Sequence, residues 1–387
     1  MSESASSKRL LEIEALRVLS CLGVLLIHAC AIFWWRTPAA NRGLYFFATA
    51  NEIGRFALFG FVFIAGFLLT LRQSRAFEFR SFLQRRFSSI FIPYLTWNFL
   101  YFLFQLRTNK ITPEQLENPT VWLNWFLFGC SPHLYFVALL FQLYLLYAVA
   151  HKPLQWLLEK PARMLWGIAA LLALYPIWIG YRFLPDKFPH LLPPLLFWLA
   201  RNSTRTAPEW FVPFFLGLFV GKYRALFEKW VHGYRPLLWG LLFISLALAS
   251  AMTVQATPDS PGVIFTYRWP NGLLLPLFRL SYAFAFTALL LPTATHGLQR
   301  LKSTFWVEAM TKFATASFGI YLIHPLVLLA LGRLRTTGRL YTFSPPLYLV
   351  TITLALALLS WLCIWAVDTA GNRWKPATWI SRLLLGH

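Results

Sequence analysis

The first hydrophobic segment of the chain contains an arginine and a histidine, Arg17 and His28, separated by ten apolar or small residues. A charged or titratable side chain inside a bilayer is costly, so such residues are functional candidates by default. On a helix, His28 lies about 16 Å further along the axis than Arg17, roughly half of a hydrocarbon core. The pair therefore combines a cation near one membrane face with a titratable nitrogen deep in the membrane.

More titratable residues lie inside or at the ends of later hydrophobic segments. They are Glu52, Arg55, His133, Arg279 and His324. Glu52 and Arg55 are one helical turn apart and can form an ion pair. Counting helical rise from each segment end places His28 and Glu52 at similar depth. Most of these side chains therefore converge on the outer half of the membrane, whereas Arg17 lies near the cytoplasmic face.

Each of these residues also has a purely structural interpretation. Arg17 is close enough to its helix end to extend its guanidinium to the interface. Glu52 and Arg55 can satisfy one another as a structural ion pair. His133 and His324 can be hydrogen-bonded packing residues. Because most of these residues converge at one depth, a functional role is favoured for the group. The role of each single residue stays open.

Composition indicates a membrane protein. The 387 residues are 58% hydrophobic and 13% charged, with a mean hydropathy of +0.56, whereas soluble domains have about 25% charged residues. The net charge of +21 lies mainly in the loops, where membrane topology and anionic lipids account for most of it, so no nucleic-acid partner is predicted. The four cysteines have no metal-site spacing, so neither a metal nor a disulfide framework is predicted.

Hydropathy predicts an all-α, polytopic helical bundle with about ten membrane spans. They are residues 13–35, 46–71, 87–106, 133–150, 162–181, 210–221, 236–254, 271–293, 314–332 and 345–367. The sixth is short for a span, and residues 122–129 are apolar but too short to cross.

Lysine and arginine bias predicts the orientation of the bundle. With both termini in the cytoplasm, about 20 of these cations lie inside and about 12 outside, as the positive-inside rule requires. No linker or internal repeat is evident. The sequence therefore predicts one membrane domain over residues 1–387, with a core of about 10–370.

Five segments carry these residues in motif-like contexts. They are LEIEALRVLSCLGVLLIH with Arg17 and His28, FVFIAGFLLTLRQSR with Arg72 and Arg75, QRRFSSIFIPYL with Arg85 and Arg86, HLYFVALLFQLYLL with His133 and Tyr135, and SFGIYLIHPLVL with His324. In this order they resemble motifs of the acyltransferase-3 family of integral membrane acyltransferases. Tyr135 stands where the family usually has tryptophan, and Ala65 where serine is common. The HLYF segment is most similar to the enterobacterial common antigen O-acetyltransferase type.

The resemblance implies an O-acyltransferase of the bacterial inner membrane. It implies transfer of an acetyl or other small acyl group from cytoplasmic acetyl-CoA (acyl-CoA) to a hydroxyl of a surface glycan or lipid-linked glycan. Arginine suits the phosphates of coenzyme A because its guanidinium has a fixed fork of donors. The predicted donor-binding residues are Arg17, Arg72, Arg75, Arg85 and Arg86.

For the chemical step, His28 is predicted to act as general base on the acceptor hydroxyl. Glu52 is expected to orient the other ring nitrogen of His28, and Arg279, or Arg55 if it is free of Glu52, to stabilise the oxyanion. An acetyl-histidine intermediate is an open variant. The predicted substrate-binding residues are Arg55, His133, Tyr135 and His324.

Two other functions are compatible with the sequence. Ten helices with polar groups at depth also suit a transporter or flippase for a glycan or a lipid-linked precursor. Similar membrane chemistry also suits N-acylation of an amino sugar. The first predicts no dependence on acyl-CoA, and the second predicts an amide product in place of an ester.

Overall fold

A computed structural model describes residues 10–34, 43–71, 77–187, 190, 193–255, 271–300, 304–334, 340–373 and 375–386. Within these ranges the chain forms helices and no strand. The first helices are α1 (Leu11–Trp34), α2 (Gly43–Gly54), α3 (Phe56–Leu71), α4 (Phe79–Arg86), α5 (Ile92–Arg107), α6 (Pro113–Glu117), α7 (Pro119–Phe128), α8 (Tyr135–Val149) and α9 (His151–Leu158). They are followed by α10 (Pro161–Tyr181), α11 (Leu184–Lys187), α12 (Pro194–Arg201), α13 (Phe211–Lys222), α14 (Arg224–Gly233), α15 (Arg235–Gln255), α16 (Asn271–Arg300), α17 (Thr304–Gly332), α18 (Pro345–Arg373) and α19 (Lys375–Leu385).

The prediction of an all-α membrane bundle is confirmed. Within the described ranges, eight helices are long and apolar enough to cross a membrane, and the number rises to ten if two bent helix pairs each count as one span. The helix α1 alone is about 36 Å long at 1.5 Å per residue, which exceeds the hydrocarbon thickness. The cytoplasmic location of both termini stays a prediction.

Two of the predicted spans, 133–150 and 210–221, end at a bend in the structure. The helix α8 ends at Val149 and continues as α9 after a bend of 79°. Residues 210–221 form part of a segment that turns by 106° between Lys222 and Arg224. Because hydropathy averages over a window, it does not register a bend between two apolar helices.

The chain folds into two compact units. Unit 1 consists of Met1–Ile64 and Arg224–Cys363, and unit 2 of Ala65–Tyr223 and Ile364–His387. Both units are discontinuous in sequence, and the boundaries between them fall inside α3 and α18 as well as before α14. The single domain predicted over the whole chain stays a prediction.

In unit 1, α1 and α2 cross with their backbones close together. A Cβ atom on Gly23 would lie 2.9 Å from the carbonyl oxygen of Gly54, and one on Gly54 would lie 2.8 Å from that of Gly23. Only glycine permits so close an approach, as is common where small residues line helix crossings in membranes. The crossing is followed on α1 by His28 and preceded on α2 by Glu52, so it brings both residues to the same part of unit 1.

Two further contacts define the direction of α17 relative to α1. The Thr311 hydroxyl donates a hydrogen bond to the Glu14 carboxylate, and the ring of His324 lies against that of His28. The two contacts are fourteen residues apart on α1 and thirteen apart on α17. The helices therefore run parallel and remain neighbours over about 20 Å.

The helix α16 runs in the direction opposite to α1. Its later residue Thr295 lies near the start of α1, whereas its earlier residue Arg279 binds Glu52. Arg224 is 2.6 Å from Glu12 and donates hydrogen bonds to Thr295 of α16 and Glu228 of α14. Glu12 and His28 are sixteen residues apart on α1, or about 24 Å. Unit 1 therefore has polar clusters at both ends of its helices, and the predicted catalytic residues belong to the second.

Candidate functional site

The carboxylate of Glu52 is the centre of a buried polar cluster in unit 1. Its side chain is 0% exposed. Arg279 of α16 binds both carboxylate oxygens, with Nε 2.8 Å from Oε2 and Nη2 bound to Oε1. Arg55 Nε is 3.2 Å from Oε1, and Thr253 of α15 donates to the same oxygen at 2.8 Å. These residues, together with Tyr282, which donates to the Glu52 backbone carbonyl at 2.7 Å, form the Glu52 cluster.

The Glu52 cluster has a formal charge of +1, since two guanidinium groups share one carboxylate. A buried carboxylate is tolerated when it is paired and hydrogen-bonded, which explains why α15, α16 and the turn after α2 all supply partners to one residue. The excess positive charge lies in a region of low dielectric, where electrostatic interactions are strong. Such a region suits an anion or a negative charge that develops during a reaction.

His28 lies beside the Glu52 cluster and against a second histidine. The ring centroids of His28 and His324 are 4.7 Å apart, with an interplanar angle of 56°. His28 is half-buried, whereas His324 is 0% exposed. The charge of Arg55 is close enough to interact directly with the His28 ring. The structure thus brings together His28, His324 and the Glu52 cluster.

The expected hydrogen bond between Glu52 and His28 is not found among the described residues. The Glu52 carboxylate binds Arg279, Arg55 and Thr253 in its place. In a buried environment two guanidinium groups attract a carboxylate more strongly than a neutral imidazole does. Arg55 is consequently not free of Glu52, and its Nε also donates to Asn51. The geometry therefore favours a role for Glu52 in holding the arginines rather than in orienting His28.

Arg17 and His28 lie on the same face of α1. The helix is continuous from Leu11 to Trp34, and eleven residues correspond to about three full turns. Arg17 is half-buried. Among the other predicted donor-binding residues, Arg72 and Arg75 lie outside the described residues.

Arg85 and Arg86, although adjacent, have different surroundings in unit 2. Arg85 is exposed and lines an open cavity of about 700 Å³ together with Arg80, Gln84 and Ser88. The guanidinium of Arg86 lies 4.5 Å from the ring centroid of Tyr144, and also packs over a phenylalanine ring of its own helix. Arg85 can thus reach a ligand in the cavity, whereas Arg86 takes part in packing.

His133 and Tyr135 lie at the start of α8, also in unit 2. His133 is buried, its Nδ1 lies 3.0 Å from the Ser131 hydroxyl, and its ring makes an edge contact with that of Tyr101. Tyr135 is half-buried. The described contacts fix His133 as a well-positioned side chain at the end of a loop.

A polar stripe on α5 holds the end of α7 and the loop before α8. Tyr94 donates to the carbonyl of Phe126, and Gln105 to that of Cys130. Asn98 donates to the Trp125 carbonyl and accepts from the Cys130 amide. The stripe residues are Tyr94, Asn98, Tyr101 and Gln105, at i, i+4, i+7 and i+11. Sequence reasoning missed this stripe, although its helical spacing in an apolar segment was a usable signal.

Comparison with known families decides the class of protein. A family model for an acyltransferase domain, that of the acyltransferase-3 family, matches residues 10–365. The chain belongs to the acyltransferase-3 family. No curated protein and no solved structure matches it. Family membership and the apolar helices together make it a multi-pass integral membrane acyltransferase.

The matched region of this acyltransferase-3 protein includes every predicted site residue. Thr253 and Tyr282 were not predicted, because a neutral hydroxyl in an apolar helix has no distinctive pattern. Among the described residues, no group of three His, Cys, Asp or Glu side chains could hold a metal ion.

Proposed function

We propose that this acyltransferase transfers an acetyl or other small acyl group from acyl-CoA to a hydroxyl of a cell-surface or lipid-linked glycan. The observation that carries the proposal is that His28 lies within range of the charge of Arg55, which with Arg279 shares the buried Glu52 carboxylate, in a chain of this family. A titratable ring and a positive site are the two groups that acyl transfer to a hydroxyl requires.

In the proposed reaction, His28 takes the proton of the acceptor hydroxyl while the hydroxyl oxygen attacks the thioester carbonyl. Arg279 and Arg55 stabilise the negative charge that develops on the carbonyl oxygen. The carbon–sulfur bond then breaks, and the proton passes from His28 to sulfur, so CoA leaves as a thiol. Glu52 holds both guanidinium groups in place. Transfer through an acetyl-histidine would use the same residues.

Donor binding is proposed for Arg17, Arg72, Arg75 and Arg85. Arg85 is suited to a phosphate because it is exposed and lines a cavity. Arg17 is suited to the donor because it lies on the His28 face of α1, about 16 Å from the base. Arg72 and Arg75 are proposed on the motif alone. We assign no direct ligand contact to Arg86, because aromatic packing already accounts for its position.

Acceptor binding is proposed for His133 and Tyr135. The support is that hydrogen bonds from α5 hold the loop that leads to them, as expected for a site built on a rigid frame. We propose that the acceptor glycan binds from the outer side of the cytoplasmic membrane of a bacterium. An acceptor like enterobacterial common antigen stays a prediction from the HLYF segment.

The experiment that tests this function uses purified protein, acetyl-CoA labelled in the acetyl group, and glycans extracted from the cell envelope. We expect thiol release that increases with glycan, and label that enters the glycan and is removed by mild alkali as an ester. Alkali-stable label would indicate an amide, and glycan movement across vesicles without thiol release would indicate transport. Either result would overturn the proposal of O-acyl transfer.

A further inference from the structure

The helix α17 contains a proline directly after His324. Pro325 has no amide hydrogen, so it cannot donate the usual helical hydrogen bond to the carbonyl four residues earlier. That carbonyl belongs to Tyr321. The His324 side chain lies on it, with Nδ1 2.6 Å from the Tyr321 oxygen. The proline thus makes a backbone acceptor available, and the histidine before it takes up that acceptor.

This contact determines the tautomer of His324. A carbonyl oxygen can only accept a hydrogen bond, so Nδ1 must carry the hydrogen. In the neutral ring the lone pair is then on Nε2, which is buried. A histidine whose Nδ1 donates to a backbone carbonyl has a defined orientation and a defined acceptor at Nε2.

His28 is the neighbour that can use this acceptor. The two ring centroids are 4.7 Å apart, and the described residues contain no hydrogen bond between the rings. Catalytic hydrogen bonds are often long or poorly aligned before the substrate binds. His28 is the more exposed of the two rings, so it is the ring that a substrate would contact.

We propose that His324 is the positioning residue of His28. Its Nε2 accepts the N–H of the His28 ring, which leaves the second His28 nitrogen unprotonated and directed to the acceptor hydroxyl. When His28 takes the hydroxyl proton, its positive charge is shared with the second imidazole. His324 thereby takes the part that sequence reasoning assigned to Glu52, and Pro325 makes this possible. This role rests on the proposed function, because it requires His28 to be the base.

Three variants test the role of His324. His324→Phe keeps a ring but has no acceptor, and His324→Gln keeps an acceptor near the Nε2 position. Pro325→Ala restores an amide hydrogen that competes for the Tyr321 carbonyl. The His324 ring is then no longer held in one tautomer, although the histidine itself is unchanged. The matched control is Pro292→Ala, which removes a proline from the interior of α16 in the same unit.

The measurement is acetyl transfer from acetyl-CoA to envelope glycan, with kcat and the KM for acetyl-CoA determined separately. We expect kcat to fall about 10²-fold in His324→Phe, at the lower end of what a positioned proton acceptor contributes. Recovery of part of that loss is expected in His324→Gln. In Pro325→Ala, kcat should fall about 10-fold, which is the size of effect seen when an outer hydrogen-bond partner of a functional histidine is lost. The KM for acetyl-CoA should stay within about twofold in these variants, and Pro292→Ala should resemble wild type.

Unchanged kcat in folded His324→Phe would overturn the proposal, and so would equal losses in Pro325→Ala and Pro292→Ala. If His324→Phe does not fold, the two proline variants and His324→Gln still decide the question. Failure of the proposed function itself has a different signature, because the wild-type protein would then release no thiol with glycan or would form an alkali-stable product. An inactive His28→Ala beside fully active His324 and Pro325 variants would leave the function intact and exclude the positioning role.

Discussion

Arg279 of α16 binds both carboxylate oxygens of Glu52 of α2, 227 residues away in the chain. The pair connects two helices of unit 1, and Arg55 approaches the same carboxylate from the adjacent turn. Because the carboxylate is fully occupied by these partners, its chemical contribution is to hold positive charge beside the histidines. Loss of the carboxylate would leave that charge without its partner.

Removing the carboxylate should destabilise the protein through the guanidinium groups that it leaves behind. We expect Glu52→Ala to lower the free energy of unfolding by about 2 kcal/mol, less than for a fully buried pair because the arginine side chains are 30% and 21% exposed. The double variant Glu52→Ala/Arg279→Ala should recover part of the loss. Denaturant unfolding in detergent measures both, and strictly additive losses would contradict the coupling.

Replacing Arg85 and Arg86 of α4 one at a time should affect different properties, donor binding for Arg85 and stability for Arg86. Arg85→Ala is expected to raise the KM for acetyl-CoA about 10-fold, the effect of losing one charged hydrogen bond. The same variant should not change the KM for acetyl-pantetheine, which has no nucleotide phosphates. Arg86→Ala serves as the matched control and should lower stability by about 1 kcal/mol through lost cation–π packing. Equal KM effects on both donors would remove Arg85 from a phosphate site.

The loop before α8 should depend on the α5 stripe. Asn98→Ala removes hydrogen bonds of 2.9 Å to the Trp125 carbonyl and of 2.7 Å from the Cys130 amide. We expect a loss of about 1 kcal/mol, since the part-buried Cys130 amide loses its partner while the Trp125 carbonyl still accepts from Gly129 and Tyr94. Thr96→Ala, two residues away, removes only a bond to its own helix and should have little effect on the melting temperature. Similar shifts in the two variants would argue against the stripe.

Local spacing was sufficient for much of the site. The ten apolar or small residues between Arg17 and His28 placed both on one helix, and counting rise from the segment ends placed Glu52 at a depth similar to that of His28, as the Gly23–Gly54 crossing now explains. The i,i+3 pair of Glu52 and Arg55 was also predicted and is present. These inferences needed only helical geometry and the length of each span.

Partners on distant helices were beyond sequence reasoning. The choice of Arg279 and Thr253 for Glu52 depends on which helices pack together, and hydropathy has no information on that arrangement. Without it, Glu52 was assigned to His28 as the nearest basic ring at its depth. The contact of His324 with His28 follows from the parallel packing of α1 and α17. The hydrogen bond from Thr311 to Glu14 is a second result of the same packing.

If His28 is the base for acyl transfer, replacement of this one residue should remove most of the activity. The measurement is thiol release from acetyl-CoA with envelope glycan by purified His28→Ala, beside His232→Ala as an exposed-histidine control on α14. We predict a rate at least about 10²-fold below wild type for His28→Ala and a nearly unchanged rate for His232→Ala. A folded His28→Ala protein that releases thiol at the wild-type rate would contradict the account.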